Sequence, residues 1–194
     1  GMKSRTRCRS TKPSRAMATR KQTRSVHETE APSAAVGLVR PTLERLPAYV
    51  SALERGWSAD NLRGEAAIRD ELARIAEDAE AFVVQQTDRE AGGREVTLPD
   101  GSKVARIPGF QLWIWDGDFC GAISLRWQPG SLDLPPHVLG HIGYSVVPWK
   151  QRRGYAKAAL GMMLVHARAE GLAFVELTTD PDNVASQRVI LANG

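Results

Sequence analysis

The run His141-Ile142-Gly143-Tyr144-Ser145-Val146-Val147-Pro148-Trp149-Lys150-Gln151-Arg152-Arg153-Gly154-Tyr155-Ala156 changes character twice. Residues 141–147 read as a strand, Pro148 closes it, and Gly154 sits in a short loop that opens a helix. That helix is expected to reach about Glu170, with Ala159, Leu160, Met163, Leu164 and Ala167 on one face and Gly171 past its end. Strand, glycine-bearing loop and helix N-terminus together make an anion site. The first helical amides have no intrahelical partners, and the helix dipole favours negative charge there. Gly154 removes the side chain where a phosphate must approach the backbone, and Ala156 keeps the next approach open. Neither the Gly-x-Gly-x-x-Gly of a dinucleotide loop nor the Gly-Lys-Ser/Thr of an ATP-type loop is present.

Outward from this unit, residues 174–179 read as a strand, and Asn183-Val184-Ala185-Ser186 opens a last helix that reaches Asn193-Gly194. Upstream, residues 110–115 and 119–127 read as strands joined by the tight turn Asp116-Gly117-Asp118. Helices are expected over residues 42–57 and 61–79, and a strand over residues 81–87. Residues 37–41 read as a short edge strand ending at Pro41. Gly92-Gly93 and Pro99-Asp100-Gly101 mark turns, and residues 129–136 form a loop. Trp113, Trp115 and Trp127 fall in strands, where aromatic residues serve as core or cross-strand partners.

The 194 residues, 42% hydrophobic and 25% charged, suit one soluble domain with an appendage. No apolar run reaches the roughly 18 residues of a membrane span, and no apolar signal region opens the chain. Only Cys8 and Cys120 are present, so a disulfide framework and a cysteine-based metal site are not expected, and a cytoplasmic setting fits. The net charge of +4 divides unevenly. Residues 1–26 carry nine Lys or Arg and no acid, while the remainder carries 17 basic and 22 acidic side chains. Residues 1–35 are read as a basic disordered tail and residues 36–194 as the folded domain. The tail's charge fits a polyanion-binding arm, a transit peptide or a plain solvated extension, so nucleic acid would be met only through it.

Gln151 to Ala156 fits the Gln/Arg-x-x-Gly-x-Gly/Ala pattern of the GNAT superfamily of N-acetyltransferases. Asn183-x-x-Ser186, followed eight residues later by Gly194, resembles that family's next motif, and the order and spacing of elements over residues 140–194 match as well. Gly140-His141-Ile142-Gly143-Tyr144 and Ser186-Gln187-Arg188-Val189-Ile190 look most like predicted acetyltransferases near the ribosomal-protein N-acetyltransferase branch. The resemblance implies a mixed α/β GNAT fold, a central sheet flanked by helices, with acetyl-CoA as cosubstrate. Its fourth and fifth strands would splay apart around the pantetheine arm. Backbone groups near Val146 and Val147 would orient that arm, and Gln151 with the amides of Arg152, Arg153, Gly154, Tyr155 and Ala156 would hold the pyrophosphate. Asn183 would position backbone and cofactor, or simply cap its helix.

An acceptor amine, either a small molecule or a peptide, would attack the thioester directly. His141 stands where related sequences often place Glu, and an imidazole of ordinary pKa near 6.5 accepts protons near neutral pH. It serves equally well as a hydrogen-bonded strand histidine, with His137 and Glu176 as further bases. The family's usual Tyr seven residues after Asn183 is Ile190 here, leaving Ser186 as the nearest hydroxyl for the leaving thiolate and Tyr144 as a more distant one. The family also continues past this helix into two strands, so the C-terminal part of the sheet is expected to be missing or supplied from elsewhere, as by a homodimer. A non-catalytic acyl-CoA-binding module is the alternative. No metal and no membrane partner are expected.

Overall fold

A computed structural model describes residues 4–9, 35–60, 63–92, 95–98 and 100–194. Four strands form the central sheet: β2 (Gly37–Val39), β5 (Gly109–Trp115), β6 (Phe119–Arg126) and β7 (Ile142–Val146), in the order β2-β5-β6-β7. All neighbours are antiparallel. β2 is an edge strand, as its closing Pro41 demands. A small hairpin, β3 (Glu95–Thr97) with β4 (Lys103–Ala105), stands apart from it.

Helices cover both faces, because the strands alternate apolar residues to both sides. Phe110, Leu112, Ile114, Ile123, Leu125 and Ile142 meet α4 (Tyr155–Ala169), which buries Ala159, Leu160, Met163 and Ala167. On the opposite face, Trp113, Phe119 and Ala122 meet α1 (Leu46–Glu54) and α3 (Ala79–Thr87), with α2 (Glu65–Glu77) packed outside. Tyr49, fully buried, centres this second core. Its ring stacks on Trp113 at 5.0 Å and meets Trp57 and Phe119 edge-on.

The expected strand over residues 81–87 is instead the body of α3. Its β-branched and aromatic residues favour a strand locally, but Asp78 caps a helix by accepting from the Ala81 amide at 2.9 Å. Phe82 and Val83 then bury against the Tyr49 core, and tertiary packing overrides the propensity. Asn61, the expected start of α2, and Gly93 and Pro99 of the expected turns lie outside the described residues.

The tail also differs from expectation over six residues. Ser4–Arg9 forms β1, antiparallel to β8 (Phe174–Thr179), from Ser4 opposite Thr179 to Arg9 opposite Phe174. The row of backbone donors and acceptors along the β8 edge supplies the partners that the tail's composition cannot. The rest of the tail, residues 1–3 and 10–34, lies outside the described residues. Among the described residues no helix is long and apolar enough to cross a membrane.

Candidate active site

β7 and β8 lie side by side at one point only. Gly140 forms an isolated bridge with Leu177, and the His141 amide donates to the Glu176 carbonyl at 2.7 Å. The contact needs Gly140, since a Cβ there would lie 2.7 Å from the Glu176 oxygen and its φ is +122°. Beyond this bridge the two strands belong to separate sheets, so a gap opens along β7. Its backbone groups alternate between the two edges. The Val147 amide turns inward to the Cys120 carbonyl at 2.9 Å, and its own carbonyl accepts from Lys150. The Val146 carbonyl accepts the exposed Gln151 side chain at 3.2 Å, a contact that a ligand can displace. Of the two valines expected to face the pantetheine arm, only Val146 therefore retains an exchangeable group. Val147 is fully buried with both backbone groups spent inside the fold.

The chain leaves β7 through a single 3-10 turn, Pro148–Lys150, and enters a loop with two left-handed residues, Arg152 (φ 62°) and Gly154 (φ 80°). Nothing lies within 4 Å of where a Gly154 Cβ would stand. Gly154 is the N-cap of α4, which has no side-chain cap and no acid in its first turn. The opening amides of a 15-residue helix thus lie uncapped beside exposed Gln151, Arg152 and Arg153. Alternating loop conformations of this kind turn successive amides toward one anion.

Asp116 fastens this loop to the body. Its carboxylate accepts from Lys150 Nζ at 2.8 Å and from the Tyr155 hydroxyl at 2.6 Å. Burial alone would raise the Asp116 carboxyl, but hydrogen bonds from Lys150, Tyr155 and Cys120 outweigh it and hold the pKa at about 2. Lys150 Nζ also lies 3.5 Å from Cys120 Sγ. Burial, reinforced by Asp116, pushes that thiol up to about 12, so it stays protonated and inert. Asp116 and Lys150 escaped the sequence reading. Asp116 looked like a turn residue, and 34 positions separate it from its partner.

At the far side of the gap stands α5 (Val184–Leu191). Asn183 caps it, its Oδ1 accepting from the Ser186 amide at 3.0 Å. Ser186 Oγ lies 2.8 Å from the Tyr144 hydroxyl, which β7 projects toward α5. Burial holds the Tyr144 phenol above its ordinary 10, so it is a neutral donor at working pH. Ile190 is buried in the core below. His141 is 1% exposed, and its Nδ1 accepts from the Glu176 amide at 3.0 Å. Desolvation lowers its pKa below 6.5; the Glu176 charge opposes that shift and Arg126 adds to it. Its Nε2 therefore carries the hydrogen in the neutral ring.

The fold thus brings Val146, Gln151 to Ala156, Tyr144 and Ser186 around one gap, with His141 and Glu176 at its closed end. Such a site can hold a phosphate-bearing chain along a strand edge and supply a hydroxyl proton beside it. No curated protein matches the chain. The microcin C7 self-immunity acetyltransferase MccE, solved with acetyl-CoA and AMP, aligns at 14% identity with a TM-score of 0.46, over 84% of this chain and 83% of that one. The family model described as Acetyltransferase (GNAT) domain matches residues 65–194, from the start of α2 to three residues past α5. By that match over about two thirds of its length, the chain belongs to the GNAT acetyltransferase domain family.

Proposed function

We propose that this protein is an N-acetyltransferase that moves the acetyl group of acetyl-CoA to a primary amine within a ternary complex. The observation that carries the reading is the uncapped α4 N-terminus behind Arg152 and Gly154, opening beside the β7–β8 gap. Pyrophosphate would sit on the amides of residues 152–156, with Arg152 and Arg153 adding charge-assisted contacts. The pantetheine arm would lie along β7, displacing Gln151 from the Val146 carbonyl.

The amine nitrogen attacks the thioester carbonyl carbon, the C–N bond forms, and collapse of the tetrahedral intermediate breaks the C–S bond. The departing thiolate takes a proton from the Tyr144–Ser186 hydroxyl pair, whose 2.8 Å contact lets either member donate. The amine proton passes to Glu176, directly or through water. His141 fits a positioning role better than a basic one. The lone pair it would use is engaged by the Glu176 amide, and that bond fixes where β7 and β8 part. Asn183 acts as the cap of α5 and so sets the place of Ser186. A place near the ribosomal-protein N-acetyltransferase branch, the cytoplasmic setting and polyanion contacts through the tail belong to the same proposal.

Calorimetric titration of acetyl-CoA tests the reading. We expect micromolar binding by the native chain and none by Gly154→Glu, which fills the open Cβ position with bulk and negative charge. Equal affinity of the two proteins would exclude the loop as the cofactor site.

A further inference from the structure

Arg126, at the end of β6, is a partly buried cation whose bonding capacity is not fully used. Its Nε is fully shielded from solvent and has no hydrogen-bond partner. Its Nη2 reaches Ser124 Oγ at only 3.4 Å. None of the ion pairs formed among the described residues involves it. A guanidinium has five N–H donors, and taking it out of water is costly unless they are used. Burial accordingly lowers the Arg126 pKa. A shielded Nε left without a partner costs stability, which calls for another reason for its presence.

Its location suggests one. In the β6–β7 ladder Ser124 stands opposite Gly143 and Ala122 opposite Ser145. The Arg126 amide donates to the His141 carbonyl at 2.9 Å. Alternation puts Arg126 on the sheet face away from α4, since Ile123, Leu125 and Ile142 fill the α4 side. The guanidinium lies across β7 over Gly143, where a Cβ would come within 2.7 Å of Nη2. Gly143 is thus the space the guanidinium occupies. On the same face, Ser145 Oγ accepts from Trp57 Nε1 at 3.0 Å, closing the floor from the α1 side. The pyrophosphate loop follows the other end of β7. A cofactor running from that loop along the gap would bring its acetyl group toward the His141–Gly143 end.

We propose that Arg126 recognises an oxyanion, carboxylate or phosphate, carried by the acceptor amine. This rests on the acetyl-transfer reading above and narrows the acceptor to an anionic amine. The planar guanidinium receives such a group through paired N–H bonds, which restores the interactions lost on burial. Arg126 is a specificity-determining residue and takes no part in the proton transfers.

The test has two stages. Calorimetric titration of CoA reports on the cofactor reading alone, and Arg126→Met is expected to bind it within about threefold of the native chain. With CoA bound and the loop site filled, inorganic phosphate and acetate are then titrated separately as probes. The native complex is expected to bind one of them, and that preference names the source of the charge. Arg126→Met should weaken the probe roughly 10- to 100-fold, as for loss of a charged hydrogen bond. Arg126→Lys, which keeps the charge and loses the fork, should fall between. In turnover, O-phosphoethanolamine should be preferred over ethanolamine, or β-alanine over its amide, and Arg126→Met should erase the preference. The urea midpoint of Arg126→Met is expected at or above the native one, since a merely structural arginine would lower it. Equal probe binding by native and Met proteins, or an unchanged acceptor preference, overturns the proposal while leaving acetyl transfer intact. Failure of CoA to bind the native chain overturns both.

Discussion

Replacing Asp116 by Asn keeps the shape of the clamp and removes its charge. Among the described residues, Lys150 Nζ would then keep only Asp118 as a charged partner, at 3.5 Å, whose side chain is 64% exposed and contributes little. The side chains of Lys150 and Asp116 are 12% and 11% exposed, so their pairing is only weakly screened. A carboxyl held at about 2 rather than 3.8 stabilises the folded state by roughly 2 kcal/mol, at about 1.4 kcal/mol per pH unit. The sign follows from the direction of the shift. The folded pKa is depressed, so the stabilisation is complete above about pH 4 and disappears as pH falls through 2. Native and Asp116→Asn proteins should differ by about 2 kcal/mol at pH 7 and by about half that at pH 3. For a chain of this size the pH 7 difference corresponds to a Tm lower by roughly 4–8 °C. Urea unfolding followed by tryptophan fluorescence at both pH values measures it. Because Asp116 also holds Tyr155, the first residue of α4, acetyl-CoA affinity should fall several-fold as well. A difference below about 0.5 kcal/mol at pH 7, or one that persists undiminished at pH 3, would refute the clamp.

Three further outcomes are expected. Cys120, buried and raised to about 12, should resist thiol reagents at pH 8 in the native protein and react only after unfolding; rapid native labelling would contradict that environment. His141→Asn can still accept the Glu176 amide and should fold, while losing the stability change that a buried neutral histidine imposes as pH falls below 6.5. An unchanged stability profile between pH 7 and pH 5 would show that His141 titrates normally. Tyr144→Phe should lower kcat by roughly 100- to 10,000-fold with little effect on acetyl-CoA affinity, as for loss of a general acid. An equal loss in Ser186→Ala would point to a relay through both hydroxyls, whereas wild-type turnover in Tyr144→Phe would remove the pair from the mechanism.

Much of the fold was legible because it is written in local patterns. β7, the glycine loop, α4 and β8 each announce themselves within a few residues, through alternation, a helix-opening glycine and a C-terminal Gly171. The β5–β6 hairpin was equally plain around Asp116-Gly117-Asp118. α3 was not, because Phe82-Val83-Val84 reads as strand until the Asp78 cap and the Tyr49 core are known. The strand formed by Ser4–Arg9 was invisible for a related reason: its hydrogen-bond partners lie at the other end of the chain, on β8.

The sequence by itself determined the succession of strand, left-handed glycine and helix start on which the proposed anion cradle rests. Tertiary structure decided the role of each side chain around it. It spent the backbone of Val147 inside the fold, engaged the His141 lone pair with the Glu176 amide, and brought Tyr144 to Ser186 from 42 residues away. It also set Asp116 beneath the loop and left Arg126 partly buried without a counter-charge among the described residues. Backbone conformation follows from near neighbours, whereas hydrogen-bond partners and desolvation depend on segments that meet only once the sheet is assembled.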